Sequence, residues 1–159
     1  MNGLARFGGF WSAVVLRRFS LRTHSQIRVC SCAIVVRDFQ MPSGFEKLVA
    51  EAKRKIIEIS PTEAADKSKR EEAVIVDVRE KDEWDEEHIP DAIHMSRGTI
   101  ELDLEEKVPD PSAMIICHCG GGGRSALAAE NLQKMGYKNV RSIAGGLKAW
   151  KAAGLPTTK

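Results

Sequence analysis

Residues 114–132, MIICHCGGGGRSALAAENL, contain a strand pattern, a glycine run and a helix pattern in direct succession. The apolar run from Met114 to Cys117 predicts a buried strand. The spacing of apolar residues from Ala126 to Met135 predicts a helix with one apolar side. The glycines between them allow a tight turn, because glycine adopts backbone angles that other residues avoid. Such a loop directs backbone N–H groups and the positive end of the helix dipole toward its own centre.

Cys119 begins the glycine run, so we expect the loop to stabilise its thiolate and to make it the catalytic nucleophile. The loop N–H groups are expected to hold negative charge on a reacting atom. Arg124 either binds an anion with its planar donor fork or forms an ion pair with an acidic neighbour. Ser125 is expected to cap the helix rather than to act as a catalytic hydroxyl. The residues expected to bind substrate are Gly120, Gly121, Gly122, Gly123, Arg124 and Ser125.

The spacing of Cys119 and Arg124, followed by Ser125 and an Ala-Leu-Ala-Ala segment, resembles the active-site loop of the rhodanese family of sulfurtransferases. Other segments resemble pieces of that family in the family's own order, which is more specific than any one motif. These segments are residues 75–80 (IVDVRE), Glu83 with Trp84, residues 88–90 (HIP), residues 92–94 (AIH), and Gly145 and Gly146 with Trp150. The similarity extends over about residues 59–156. It implies a rhodanese-like three-layer α/β fold, in which helices flank a central, mostly parallel sheet.

The resemblance implies a sulfurtransferase that works by double displacement through Cys119, without a cofactor. The thiolate takes a sulfane sulfur from thiosulfate or a persulfide, and the Cys119 persulfide then passes it to a thiol or to cyanide. The implied partners are a small sulfur-donor anion or a low-molecular-weight persulfide, with a protein donor or acceptor as a further candidate. Many rhodanese-like loops carry bulky or charged residues between the Cys and the Arg, whereas this loop has glycine only. Arg124 is therefore the cationic side chain that the loop offers to a donor.

Two other functions remain open. Cys-dependent phosphatases and arsenate reductases also hold a thiolate in a cradle of N–H groups, but their loops have a longer segment between the Cys and the Arg. The four residues found here predict a cradle too small for a tetrahedral oxyanion. A sulfur-carrier or binding module that does not turn over would show the same residues as an enzyme.

Charge is distributed unevenly along the chain. Residues 1–40 contain six arginines, no lysine and one acidic residue, whereas the rest has 18 Lys and Arg against 21 Asp and Glu, a net charge of −3. A mildly acidic domain is not expected to bind nucleic acid. The apolar stretch at residues 7–16 is too short to span a bilayer. Residues 1–40 are either an Arg-rich transit peptide or upstream sequence that is not translated; we favour the second and expect no ordered structure there.

The four cysteines form two Cys-x-Cys pairs, a pattern unlike a secreted disulfide framework. We therefore expect a reducing compartment, the cytoplasm, or the mitochondrial matrix if the leader is a transit peptide. No metal site is predicted, because the cysteines lack the usual spacing of zinc ligands. Cys117 is expected to be a buried strand residue rather than a resolving thiol. His118 is expected to alternate away from Cys119 on the strand.

Two helix starts precede the first strong strand pattern. Residues 41–58 predict an N-terminal amphipathic helix that begins at Ser43, with Glu46 as its capping-box partner. A second helix is predicted after Ser60, because a proline follows it at the first helical position. These patterns divide the chain into the leader, the N-terminal helix and a rhodanese-like domain at residues 59–157.

Residues 73–78 form a near-continuous apolar run, which predicts a central parallel strand buried on both faces. Asp77 and Arg79 stand at its end, where we expect an ion pair or a hydrogen bond to support the loop. Alternating strands and helices favour an α/β domain with its site at the carboxyl ends of the strands. The remaining predicted elements are strands at residues 92–95 and 140–143, a helix at residues 99–108 and a helix after Gly146.

Overall fold

The structure is a computed structural model that describes residues 42–70 and 72–159. Its elements in chain order are α1 (Gly44–Lys55), β1 (Ile57–Ile59), α2 (Pro61–Lys69), β2 (Val74–Asp77), α3 (Lys81–Glu86), β3 (Ile93–His94), α4 (Ile100–Lys107), β4 (Met114–His118), α5 (Gly123–Lys134), β5 (Asn139–Ile143) and α6 (Gly146–Ala152). Among the described residues no helix is long and apolar enough to cross a membrane. The predicted leader, residues 1–40, lies outside the described residues.

The five strands form one parallel sheet in the order β1-β5-β4-β2-β3. The strand before the glycine run, β4, is central and pairs with β2 on one side and with β5 on the other. From β2 the chain continues to β3 at one edge, and from β4 it continues to β5 in the opposite direction. The carboxyl ends of β2 and β4 therefore flank a topological switch point, where open α/β sheets form their binding sites.

Helices cover both faces of the sheet, which confirms the predicted three-layer α/β fold. Side chains on β4 alternate between the faces, so Ile115 and Ile116 belong to different cores. Ala52 of α1, Leu104 of α4 and Leu132 of α5 pack in the first core. Side chains of α2 and α6 pack in the second.

Helix α1 begins where the sequence predicts. The side chain of Ser43 accepts from the N–H of Glu46 at 3.2 Å, and the Glu46 carboxylate accepts from the N–H of Ser43 at 2.7 Å. The helix is shorter than the predicted residues 41–58, because it ends at Lys55 and the chain forms β1 at Ile57–Ile59. The β-branched residues favour a strand, and pairing with β5 supplies its backbone hydrogen bonds.

Helix α5 begins at Gly123 rather than at the predicted Ala126, and Gly122 is its N-cap. Periodicity places the start too late, because the apolar pattern begins only at the first alanine. Arg124 and Ser125 therefore lie in the first turn of the helix. The other predicted strands and helices are present, with slightly shifted ends.

Candidate active site

Cys119 follows β4 directly and lies at the switch point between β4 and β2. The residue is 2% exposed. Its Sγ accepts a hydrogen bond from the backbone N–H of Gly122 at 3.2 Å. Within the described residues this is the one backbone N–H that hydrogen-bonds to the sulfur, whereas the sequence suggested several. The hydroxyl of Ser125 is the second polar neighbour of the sulfur, at 3.6 Å.

The loop keeps its shape because α6 binds its carbonyl groups. The N–H of Leu147 donates to the carbonyl oxygen of Cys119 at 2.7 Å, and the next N–H of the helix donates to that of Gly120 at 3.2 Å. A planar peptide that directs its carbonyl to one side directs its N–H to the other, so the following loop N–H groups turn away from α6. Gly146 permits this approach: its φ is +57°, and a Cβ there would lie 2.1 Å from the carbonyl oxygen of Cys119.

The four glycines of the loop differ in what they require. Only Gly122 among them has a positive φ, +89°, and a Cβ there would lie 3.1 Å from the backbone nitrogen of Gly145. At Gly123 a Cβ would lie 3.1 Å from the ring of Phe45 in α1, whereas at Gly121 it would meet nothing within 4 Å. The predicted need for glycine backbone angles is therefore correct for Gly122, and at Gly123 the need is steric.

Ser125 lies inside the first turn of α5, so it is not the helix cap that the sequence predicts. Gly122 takes the cap position, because the loop needs a left-handed backbone there. The oxygen of Ser125 instead accepts a hydrogen bond from the hydroxyl of Ser142 on β5, at 2.9 Å. Both serines are fully buried, and Ser125 is the one that lies beside the sulfur of Cys119. A serine hydroxyl in this place can donate to a thiolate.

Arg124 pairs with Glu83 of α3. Two guanidinium nitrogens lie 2.5 and 2.8 Å from the two carboxylate oxygens. Hydrogen bonds from the guanidinium lower the pKa of Glu83, and hydrogen bonds to the carboxylate raise the pKa of Arg124. Both groups are therefore ionised at neutral pH. The structure shows the ion pair that the sequence left open for Arg124, and the anion-binding role stays a prediction.

Asp77 and Arg79 form the predicted ion pair at the end of β2. The guanidinium donates to both carboxylate oxygens at 2.6–3.0 Å, and both residues are buried. The same guanidinium donates to the backbone carbonyls of Glu83 at 2.9 Å and Glu87 at 2.6 Å. Arg79 thereby fixes α3 at the end of β2, which holds Glu83 where it meets Arg124.

Cys117 and His118 are the last two residues of β4, directly before Cys119, and are buried. Burial raises the pKa of Cys117 to about 12, so it is a thiol at neutral pH. Burial lowers the pKa of His118 to about 4, although Asp77 lies 3.5 Å from its Nε2. Among the described residues, no group of His, Cys, Asp and Glu is arranged to hold a metal. Cys30 and Cys32, which a zinc site would need, lie outside those residues.

A cavity of about 320 Å³ opens beside Cys119. One wall is the glycine loop with Arg124, and the other wall is helix α1. The side chains that α1 contributes are Phe45, Val49 and Lys53. Phe45 is 53% exposed although it is large and apolar. The sequence predicts the amphipathic helix, but not that it borders the thiol of Cys119.

Comparison with known proteins shows the family of this fold and loop. The family model of the rhodanese-like domain matches residues 60–153, more than half of the chain. The chain belongs to the rhodanese-like domain family. The matched residues include the glycine loop and the strands β2 and β4, whereas α1 precedes the match. The resemblance stated from the sequence is therefore confirmed.

Three similar proteins differ in the activity that their descriptions give. The thiosulfate sulfurtransferase GlpE of Coxiella burnetii is 37% identical over 95 residues, which are 60% of this chain and 87% of the relative. The polysulfide-sulfur transferase of Wolinella succinogenes has a TM-score of 0.64 and 30% identity, over 72% of this chain and 86% of that one. A Rhodopseudomonas palustris protein of unknown function, described as a possible tyrosine phosphatase, has a TM-score of 0.65 and 32% identity, over 75% and 97%. Two of these three proteins are therefore described as sulfur-transfer enzymes, and the third is described as a possible phosphatase.

Sequence reasoning missed several contributions to the site. The resemblance includes Glu83 but assigns it no partner, and its contact with Arg124 joins residues far apart in the chain. Ser142 carries no motif, and its place beside the loop follows only from the register that sets it opposite Cys117. The role of α1 as a cavity wall depends on tertiary packing, which its amphipathic pattern does not specify.

Proposed function

We propose that the protein is a sulfurtransferase that moves a sulfane sulfur from thiosulfate or a persulfide to a thiol or to cyanide, with Cys119 as the carrier. The observation that carries this proposal is the position of Cys119 Sγ, which accepts the N–H of Gly122 at 3.2 Å and borders a cavity large enough for a donor. The relatives named as sulfurtransferases support this chemistry within the family.

In the first half-reaction, the Cys119 thiolate attacks the outer sulfur of the donor. A new S–S bond forms at Cys119 while the bond to that sulfur in the donor breaks, and sulfite or a thiolate leaves with the bonding electron pair. In the second, cyanide or an acceptor thiolate attacks the outer sulfur of the Cys119 persulfide, and the Cys119 thiolate returns as the leaving group. The cycle consumes no separate oxidant or reductant.

Different loop residues stabilise the negative charge on Cys119, on the outer sulfur of the persulfide and on an anionic donor. The N–H of Gly122 and the hydroxyl of Ser125 stabilise the Cys119 thiolate, and the remaining loop N–H groups stabilise the outer sulfur of the persulfide. Arg124 contributes a planar fork for an anionic donor or leaving group when its pair with Glu83 opens. The buried ion pair at the end of β2 supports the site by fixing α3.

Intact mass spectrometry after incubation with thiosulfate tests this proposal. One sulfur, about 32 Da, should add to the wild type but not to Cys119→Ser. Cys117→Ala is the matched control, because it removes a neighbouring buried thiol whose pKa is raised to about 12, and it should retain the adduct. An adduct that persists on Cys119→Ser would contradict the assignment.

Two other outcomes would favour the rival functions. Hydrolysis of p-nitrophenyl phosphate that is lost in Cys119→Ser would identify a phosphatase, the class suggested for the Rhodopseudomonas palustris protein. A persulfide that forms once but does not turn over with cyanide or glutathione would identify a sulfur carrier. We expect repeated turnover and no phosphate release, because four residues between Cys119 and Arg124 form a small cradle.

A further inference from the structure

We propose that helix α1 forms the donor-binding wall and that the preferred donor is an organic persulfide with an apolar body rather than thiosulfate. This inference rests on the proposed sulfur transfer through Cys119 and names the substrate class of that site. It is carried by the apolar wall of the cavity, by the paired charges around it and by the close contact between α1 and the loop.

The cavity beside Cys119 is larger than an inorganic anion requires. Its volume of about 320 Å³ reaches the lower end of the range of small-molecule sites, about 300–1,000 Å³. Phe45 and Val49 form the wall opposite the loop, and the ring of Phe45 is half exposed. A large apolar ring left exposed beside a reactive thiol suits the apolar part of a ligand. Thiosulfate has no such part.

The charges around the cavity do not favour a dianion. Within the described part of the chain, both cationic side chains that line the cavity have carboxylate partners: Arg124 with Glu83 and Lys53 with Glu58. Thiosulfate would have to displace a carboxylate from its bidentate pair or lie beside a neutralised cation. An organic persulfide presents one terminal –SSH group to Cys119 and leaves both pairs intact.

Helix α1 is held closely against the loop. A Cβ at Gly123 would lie 3.1 Å from the ring of Phe45 and 3.5 Å from Val49, so the last glycine of the run makes room for α1. At the other end of the helix, the ammonium of Lys55 lies 2.8 Å from the carboxylate of Glu130 on α5. Because α1 precedes residues 60–153, the matched family domain alone does not supply this wall.

Transfer from such a donor balances without a co-reactant. The Cys119 thiolate attacks the terminal sulfur of R–S–SH, and the new S–S bond forms as the donor S–S bond breaks. The departing thiolate takes the bonding electron pair and the proton of the –SSH group. The products are the Cys119 persulfide anion and the neutral thiol R–SH, whose R group contacts Phe45.

The test compares benzyl persulfide with thiosulfate as donors to the full chain. Single-turnover rate constants for Cys119 persulfidation are measured by quenched mass spectrometry in wild type, Phe45→Ala and Leu48→Ala. Leu48 is the matched control, because it lies on the same helix and is 57% exposed but does not line the cavity. Phe45→Ala should lower the rate constant for benzyl persulfide about tenfold and that for thiosulfate less than about twofold. Leu48→Ala should change neither.

A second variant tests the charge argument. Glu83→Gln removes the carboxylate that neutralises Arg124 and frees the guanidinium for an anion. We expect the rate constant for thiosulfate to rise about fivefold at low salt and the gain to shrink at high salt. The rate constant for benzyl persulfide should stay the same.

The outcomes separate this inference from the proposed function. If Phe45→Ala slows both donors equally or neither, or if Glu83→Gln leaves thiosulfate unchanged, α1 and the ion pair do not select the donor. The inference is then overturned, while the adduct on Cys119 still supports sulfur transfer. If neither donor adds sulfur to wild-type Cys119, the proposed function itself fails. An unchanged thiosulfate rate of Phe45→Ala shows that the loop remains folded.

Discussion

Two regions of the site, the loop interior and the rim, differ in burial and in charge. The loop interior consists of Cys119, Gly122, Ser125 and Ser142. The rim consists of Phe45, Lys53, Glu83 and Arg124. The interior contains no acidic or basic residue and is shielded from solvent, whereas the rim is partly exposed and its cations are ion-paired. Every donor must meet the same interior, so changes there should affect all donors alike, and changes in the rim should affect them differently.

The largest effect is expected from Gly146→Ala, which disrupts the interior from α6. A Cβ there would lie 2.1 Å from the carbonyl oxygen of Cys119 and 3.0 Å from the backbone nitrogen of Gly122. A side chain at this positive φ costs about 1–2 kcal/mol before any clash. We expect the free energy of unfolding, measured by urea denaturation, to fall by about 3 kcal/mol or more. Sulfur transfer should fall about a hundredfold with either donor, since a displaced loop misaligns the nucleophile.

The variant Gly154→Ala separates backbone strain from the clash. Gly154 has a φ of +70°, but the position of its Cβ has nothing within 4 Å. It should lose only about 1–2 kcal/mol of stability and keep its transfer rates. Equal damage from both variants would show that α6 does not hold the loop.

Acid pH tests the strand beneath the interior, because the buried His118 resists a proton that the unfolded chain accepts. Burial lowers the pKa of His118 to about 4, compared with 6.5 for an ordinary histidine. The unfolded chain therefore binds more protons than the folded protein between these values, and stability is lost as the pH falls through this window. We expect the free energy of unfolding to drop by about 2 kcal/mol from pH 7 to pH 5. Urea denaturation at the two pH values measures this difference.

The control for this pH dependence is His118→Gln, which keeps a polar side chain but removes the titration. Its free energy of unfolding should change much less between pH 7 and pH 5 than that of the wild type. If both proteins lose the same amount, burial of His118 is not the source of the acid sensitivity. Glu83, whose pKa is lowered from 4.5 by Arg124, should lose its contribution only at pH values below this window.

The architecture is largely predictable because its signals are local. The capping box at Ser43 and the apolar run at residues 73–78 predict α1 and β2, and both elements are present. The end of α1 is not predictable in this way, because pairing with β5 decides that Ile57–Ile59 form a strand. The first turn of α5 is missed for a related reason: its glycine and arginine carry no apolar periodicity.

The interior of the site is more predictable than the rim. Cys119, Gly122 and Ser125 lie close together in one stretch of the chain, which the sequence shows directly. Glu83 reaches Arg124 across 41 positions of the chain, and Phe45 comes from a helix outside the family match. Such contacts depend on strand order and helix packing, which no local pattern encodes. Ser142 is the exception within the interior, because only the register of β4 and β5 brings it to the loop.

The smallest expected effect, that of Ser142→Ala, decides how far the interior extends. Ser142 reaches Cys119 only through Ser125, so its loss removes one hydrogen bond, worth about 1 kcal/mol, and leaves the contacts of the sulfur in place. Single-turnover rate constants should fall about fivefold with thiosulfate and with benzyl persulfide alike, and Ser142→Thr should restore most of the rate. A loss confined to one donor would show that a buried hydroxyl takes part in donor choice and would contradict the division between interior and rim. An equal loss with both donors would show that the interior includes a residue of β5. In the chain, β5 is separated from the loop by the whole of α5.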